Sequence, residues 1–132
     1  MRVKKVIPTD LEAARALAEE LLQAVEGSGY SEPVLFAIRL ALEEALINAI
    51  KHGNKFDRGK SITVLAEAGD DGMTITITDE GTGFDPAGVP DPTADENLEK
   101  PTGRGIMLMR AYMDKVEFNE RGNEVRMVKS RS

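Results

Sequence analysis

The run ITVLAEAGDDGMTITITD, residues 62–79, decides the fold class, because it is where the apolar period switches from helical to alternating. Ile62, Val64, Ala66 and Ala68 alternate with Thr63, Leu65 and Glu67, and Met73 to Thr78 alternates again beyond Gly69-Asp70-Asp71-Gly72. Two such runs about a Gly/Asp turn predict a β-hairpin. Upstream, Leu11, Ala14, Leu17, Ala18, Leu21 and Val25 recur at helical spacing. Thr9 and Glu12 predict a capping box for that helix, and Gly27-Ser28-Gly29 its stop. Ser31-Glu32-Pro33 opens a second helix, expected to run to about His52 and to stop at Gly53-Asn54. Val3 to Ile7 reads as a short strand closed by Pro8. Downstream, Ile106 to Met113 reads as a short helix, and Val116 to Val128 as a hairpin turning at Arg121-Gly122-Asn123. Helices together with antiparallel strand pairs predict an α+β sandwich with helices on one sheet face.

Length and composition narrow the function. The 132 residues suit one domain that buries enough surface to need no disulfide or metal staple. With 17 basic and 23 acidic residues the formal charge is -6, which argues against a nucleic-acid surface. The absence of cysteine removes thiolate chemistry, disulfides and cysteine-ligated zinc, and a single histidine removes His-rich metal sites. No apolar run approaches a membrane span, and MRVKKVIPTD lacks a signal-peptide core, so a cytoplasmic protein with no membrane partner is expected.

Three constellations could carry chemistry. Glu44, Asn48 and His52, each four residues from the next, form one polar stripe on the second helix, with Glu43 on the other flank. The stripe is either a solvated face with i,i+4 partners or a ligand site, and Ala37, Ala41 and Ala45 beside it leave room for a bulky group. Asp79 shares strand parity with Met73, Ile75 and Ile77, which places a carboxylate at the rim of the apolar layer. Such a group needs donors, either a ligand amino group or N–H groups of the following Glu80-Gly81-Thr82-Gly83 loop. Finally, Thr102-Gly103-Arg104-Gly105-Ile106 opens the short helix, where free N–H groups and the Arg104 fork suit anionic oxygens. Neither Gly-x-Gly pair extends to a dinucleotide fingerprint. The run Gly53 to Ser61 misses a P-loop by one residue and follows a helix where a strand is needed.

Together and in this order the three resemble the ATP-binding boxes of the gyrase, chaperone and histidine-kinase ATPase superfamily, the Bergerat fold. Glu44 to His52 is similar to the N box, Asp79-Glu80-Gly81-Thr82-Gly83 to the first glycine box, and Gly103-Arg104-Gly105 to the second. Within the superfamily the short lid, and the runs EALINAIKHGN, DEGTGFDP and GRGIMLMR followed by Met113-Asp114, resemble bacterial anti-sigma factor serine/threonine kinases. The resemblance implies a two-layer fold with a mixed, mostly antiparallel sheet, a single domain over 1–132, and an ATP lid at about 84–102. It implies that Asn48 coordinates Mg²⁺ on the triphosphate and that Asp79 accepts the adenine amine. Gly81 and Gly83 would let the loop pass the nucleotide. Gly103, Gly105, Ile106 and neighbouring N–H groups would hold phosphates, with Arg104 toward the γ-phosphate. Glu44 matches the proposed catalytic base, while His52 either touches phosphate or helps end the helix. Relatives often carry Gly-Thr in the final hairpin; here Gly122-Asn123-Glu124 replaces it, and Glu124 is given no nucleotide role.

The function implied is a Mg-ATP-dependent protein serine/threonine kinase that also sequesters an RNA polymerase sigma factor. Its substrate would be an anti-anti-sigma antagonist bearing a Ser or Thr, and a homodimer is suggested. A different class stays open, an ATP-binding regulatory module without turnover. A detached sensor histidine-kinase domain fits less well, because the single histidine already lies in the N box.

Overall fold

A computed structural model describes residues 1–81 and 101–131, with backbone alone for 101–104. Its elements are β1 (Arg2–Pro8), α1 (Leu11–Val25), α2 (Glu32–Asn48), β2 (Ser61–Ala68), β3 (Gly72–Asp79), α3 (Pro101–Tyr112), β4 (Lys115–Phe118) and β5 (Glu124–Ser130). The five strands form one sheet in the order β1-β2-β3-β5-β4. Every pairing among the described residues is antiparallel, so the expected mixed component does not occur among them.

Alternation decides which sheet face is covered. Ile62, Val64 and Ala66 of β2, Met73, Ile75 and Ile77 of β3, and Val125 and Met127 of β5 are buried in one cluster with the helices. Leu17, Leu21 and Val25 of α1 and Ile38, Leu42 and Leu46 of α2 complete that core. Each large apolar side chain so buried contributes about 1.5–3 kcal/mol. Thr63, Thr74, Thr76 and Thr78 have the opposite parity and lie on the uncovered face. The Ala37, Ala41 and Ala45 stripe is itself buried. Near it α3 packs on α2, and Phe36 and Tyr112 meet edge to face at 5.9 Å.

Three local expectations need correction. Thr9 does not cap α1. Asp10 takes the N-cap place without a side-chain bond, because the Thr9 hydroxyl is committed to the Lys60 carbonyl at 2.8 Å. The α-helical part of α2 ends at Asn48, and Ala49–Gly53 form one π-helical turn, closed by the Asn54 N–H on the Ala49 carbonyl at 2.8 Å. Helix α3 begins at Pro101, five residues earlier than expected. Proline suits the first helical position, where its missing N–H is not needed. Gly103, Arg104 and Gly105 therefore lie inside the first turns of α3 and not in a loop before it. Gly83 and residues 84–100 of the expected lid lie outside the described residues, as does the Arg104 side chain.

Candidate functional site

At the end of β3, Asp79 leaves the apolar layer half-buried, as its parity with Ile75 and Ile77 requires. Burial raises its carboxyl pKa above the ordinary aspartate value; the Gly81 N–H and the charges of Arg121 and Lys60 act in the opposite direction. Its Oδ1 accepts the Gly81 N–H at 2.8 Å. Asn123, in the turn just before β5, holds its backbone: the Asp79 N–H donates to the Asn123 carbonyl at 2.9 Å, and Asn123 Nδ2 donates to the Asp79 carbonyl at 3.1 Å.

The π-helical turn brings α2 to this point. Its last residue, Gly53, lies so close to Asp79 that a Cβ there would fall on the carboxylate oxygens, and a Cβ on Gly81 would fall on the Gly53 carbonyl. A π turn is a common device where a helix must present a group off its regular face. The turn is followed by two residues in the left-handed region, Lys55 at φ 51° and Phe56 at φ 59°.

Farther up α2, Glu44 and Asn48 are partly buried under the first turns of α3. A Cβ on Gly105 would sit 2.9 Å from Asn48 Nδ2 and 3.2 Å from Glu44 Oε2, so any larger residue there would push those two side chains aside. The N–H groups of Thr102 and Gly103 belong to the turn that has no preceding intrahelical acceptor. Ile106 is buried in the core and anchors this end of α3. His52, on the π turn, is largely exposed. Partial burial, and secondarily the Lys51 charge, lowers its pKa below the ordinary histidine value.

Asn48, His52, Gly53, Asp79 and Asn123 line one cleft of about 440 Å³, counting its open mouth, with an apolar sleeve from Ala45, Ala49, Ile77 and Met109. Its lining, apolar walls with a few polar groups, is the kind that small-molecule sites use. Glu124 borders the cleft, but its carboxylate accepts the Thr78 hydroxyl at 2.8 Å, and Thr78 has the opposite strand parity from Asp79. Among the described residues no three His, Asp or Glu side chains converge on a point. A cation at Asn48 would thus take few protein oxygens and keep water or phosphate ligands, which fits Mg²⁺.

The structure brings Glu44, Asn48 and Gly105 into one contact and places His52 and Asp79 on the cleft that Asn48 lines, with Gly81 bonded to Asp79 beside it. Gly53 and Asn123 are additions that sequence reasoning missed. Gly53 appears in the sequence only as a helix stop, and nothing there points from Asn123 to Asp79.

The family model of the histidine kinase-like ATPase domain matches residues 7–129. An anti-sigma F factor of Clostridium perfringens is 33% identical over 90 residues, 66% of this chain and 64% of that protein. The chain thus spans just under two-thirds of that relative's length. Serine-protein kinase RsbW of Bacillus subtilis is 26% identical over 136 aligned positions, 96% of this chain and 84% of that one. A crystal structure of RsbU and RsbW domains from Mycobacterium tuberculosis superposes with a TM-score of 0.67 at 16% identity, covering 98% of this chain and 32% of that chain.

Proposed function

Because the chain belongs to the histidine kinase-like ATPase domain family, we propose that it is a Mg-ATP-dependent protein serine/threonine kinase acting as an anti-sigma factor. One observation carries the reading: a single cleft holds the Asp79 carboxylate at one end and joins, at its other, the Glu44, Asn48 and Gly105 contact. In this reading residues 1–132 form one nucleotide-binding domain with a lid at about 84–102. Similarity to an anti-sigma F factor and to a serine-protein kinase supports a sigma factor and a Ser- or Thr-bearing antagonist as partners, and a homodimer is the working form in this reading. Among the described residues no helix is long and apolar enough to cross a membrane, which accords with a cytoplasmic role.

Asp79 accepts the adenine amine, and Ala49, Ile77 and Met109 cover the ring. Gly81 and Gly83 let the following loop pass the nucleotide. The phosphates lie toward the first turn of α3, held by the free N–H groups of Thr102 and Gly103, with Gly105 and Ile106 shaping that end, Arg104 as the cation and His52 a neighbour. Asn48 would offer its amide oxygen to Mg²⁺, which when bound would supply charge neutralisation to the triphosphate. Glu44, one turn before Asn48, takes the proton of the attacking Ser or Thr hydroxyl. The hydroxyl oxygen bonds to the γ-phosphorus, the bond to the β–γ bridging oxygen breaks, and ADP leaves. Positioning and electrostatics supply most of such a transfer.

The test is a phosphotransfer assay on a candidate antagonist beside an ATP titration of the same preparation. Glu44→Gln keeps shape but cannot take a proton, so transfer should fall by about 10²–10⁴-fold. ATP affinity should hold. Normal transfer by Glu44→Gln contradicts the base assignment. ATP binding without transfer by the unmodified protein contradicts the kinase reading.

A further inference from the structure

Among the described residues two polar side chains are buried, Thr9 and Asn54, and they touch each other away from the cleft. Asn54 Nδ2 donates to Thr9 Oγ1 and to the Ser61 carbonyl, both at 3.0 Å, and its Oδ1 accepts the Glu80 N–H at 2.8 Å. The Thr9 hydroxyl in turn donates to the Lys60 carbonyl at 2.8 Å. One amide therefore ties the β1–α1 junction, the start of β2 and the end of β3 to the exit of the π turn. A buried amide is costly unless bonded, and this one is bonded at both ends.

Its place in the chain gives the network a consequence for the cleft. Asn54 directly follows Gly53, and Glu80 directly follows Asp79, so the Asn54–Glu80 bond fixes two residues whose neighbours are in contact. The same Asn54 closes the π turn through its N–H and starts the left-handed pair through its carbonyl, which accepts the Asp57 N–H at 2.9 Å. We propose that Asn54, oriented by Thr9, is a positioning residue for ligand binding, setting the Asp79 carboxylate and Gly81 against Gly53 at the adenine end of the cleft. The proposal rests on the reading of that end as the adenine site. It makes no claim on Asn48 or Gly105, which act at the other end.

Asn54→Ala removes every side-chain bond at once and threatens the fold, so Thr9→Val is the working variant. It keeps shape and deletes one acceptor of Asn54 and the donor to Lys60. Binding of adenosine, and separately of inorganic tripolyphosphate with Mg²⁺, is measured by calorimetry well below the melting temperature. Losing one bond that aligns a charged acceptor should weaken adenosine about fivefold or more, with tripolyphosphate unchanged. Thr9→Ser restores the hydroxyl and should restore adenosine. Val25→Ala, which truncates a fully buried core residue beside the other end of the sheet, controls for stability and should bind adenosine normally. The proposal is overturned if Thr9→Val binds adenosine like the unmodified protein, or if Thr9→Ser does not rescue. Equal losses of both ligands, or an equal loss in Val25→Ala, overturn it too. Failure of the unmodified, folded protein to bind adenosine or ATP overturns the reading of the cleft instead, and the two failures are thereby told apart.

Discussion

At its first residues β3 leaves a hairpin with β2 in which the Gly69 N–H donates to the Gly72 carbonyl at 3.0 Å and Tyr30 donates its hydroxyl to the Gly69 carbonyl at 3.0 Å. At its last residue the same strand ends in a half-buried carboxylate against a π turn, a buried amide and two left-handed residues. The first end is a short turn with one added bond from Tyr30, and its positive φ falls on Gly72, where no side chain opposes it. The second carries conformations that cost about 1–2 kcal/mol per left-handed residue, plus the desolvation of Asp79. Strain and unfavourable burial that persist at one end of a well-packed strand are what the proposed nucleotide site would require there.

Two glycines test that contrast most severely, because neither has a left-handed backbone and they differ only in what a methyl group would meet. A Cβ on Gly69 meets nothing within 4 Å, so Gly69→Ala should change stability by less than about 0.5 kcal/mol. A Cβ on Gly53 falls on Asp79. Gly53→Ala should displace the carboxylate and reduce adenosine affinity about 10²-fold, the cost of a misplacement near 1 Å. Calorimetry and thermal melts on the pair would break the comparison if the two variants behaved alike.

Asp79→Asn should lose about 1.5–3 kcal/mol of adenosine binding, as the charge-assisted contact disappears. The ligand-free protein should respond in the opposite sense. A carboxyl whose folded pKa is raised holds its proton more tightly folded than unfolded, so stability falls as pH climbs from the ordinary value of 3.8 through the raised one. Asp79→Asn removes that loss, and unfolding curves across this window should converge at low pH and favour the variant above it. In the unmodified protein, adenosine affinity should decline as pH drops through the same raised value.

Gly105→Ala separates helix stability from binding. A methyl group inside α3 adds about 0.5–1 kcal/mol of helix preference over glycine, partly offset by crowding Asn48 Nδ2 at 2.9 Å. The variant should melt no lower than the unmodified protein yet bind Mg-ATP about tenfold more weakly, with adenosine unchanged, the size expected for displacing one polar partner. A parallel loss of adenosine would mean that the two ends of the cleft are not independent.

The contrast also explains what the sequence disclosed. The alternation on both sides of Gly69-Asp70-Asp71-Gly72 specifies β2, β3 and their turn, because pleat and turn chemistry act within a few residues. The same parity places Asp79 at the rim, and i,i+4 spacing groups Glu44, Asn48 and His52 on α2. The binding end resists such reading because its contacts are distant in sequence: Asn54 bonds to Thr9, Ser61 and Glu80, which are 45, 7 and 26 residues away. Thr9 looks like a helix cap in sequence and is instead taken by Lys60. Pro101 fixes the start of α3, but the Gly-x-Gly that follows it suggests a loop. At the hairpin end of β3 the long-range Tyr30 bond adds to what local rules specify, whereas at the other end long-range bonds override them.

The measurement that bears most directly on the cleft is an amide-resolved NMR titration, first with adenosine and then with ATP and Mg²⁺. Adenosine is expected to shift the amides of Gly53, Asp79, Gly81 and Asn123, with Gly69 and Gly72 unmoved. ATP with Mg²⁺ should add the Asn48 side-chain amide and the Gly105 N–H. Shifts clustered at the Gly69–Gly72 end, or in the groove between α1 and α2 lined by Leu11, Arg15 and Ile47, would contradict the account.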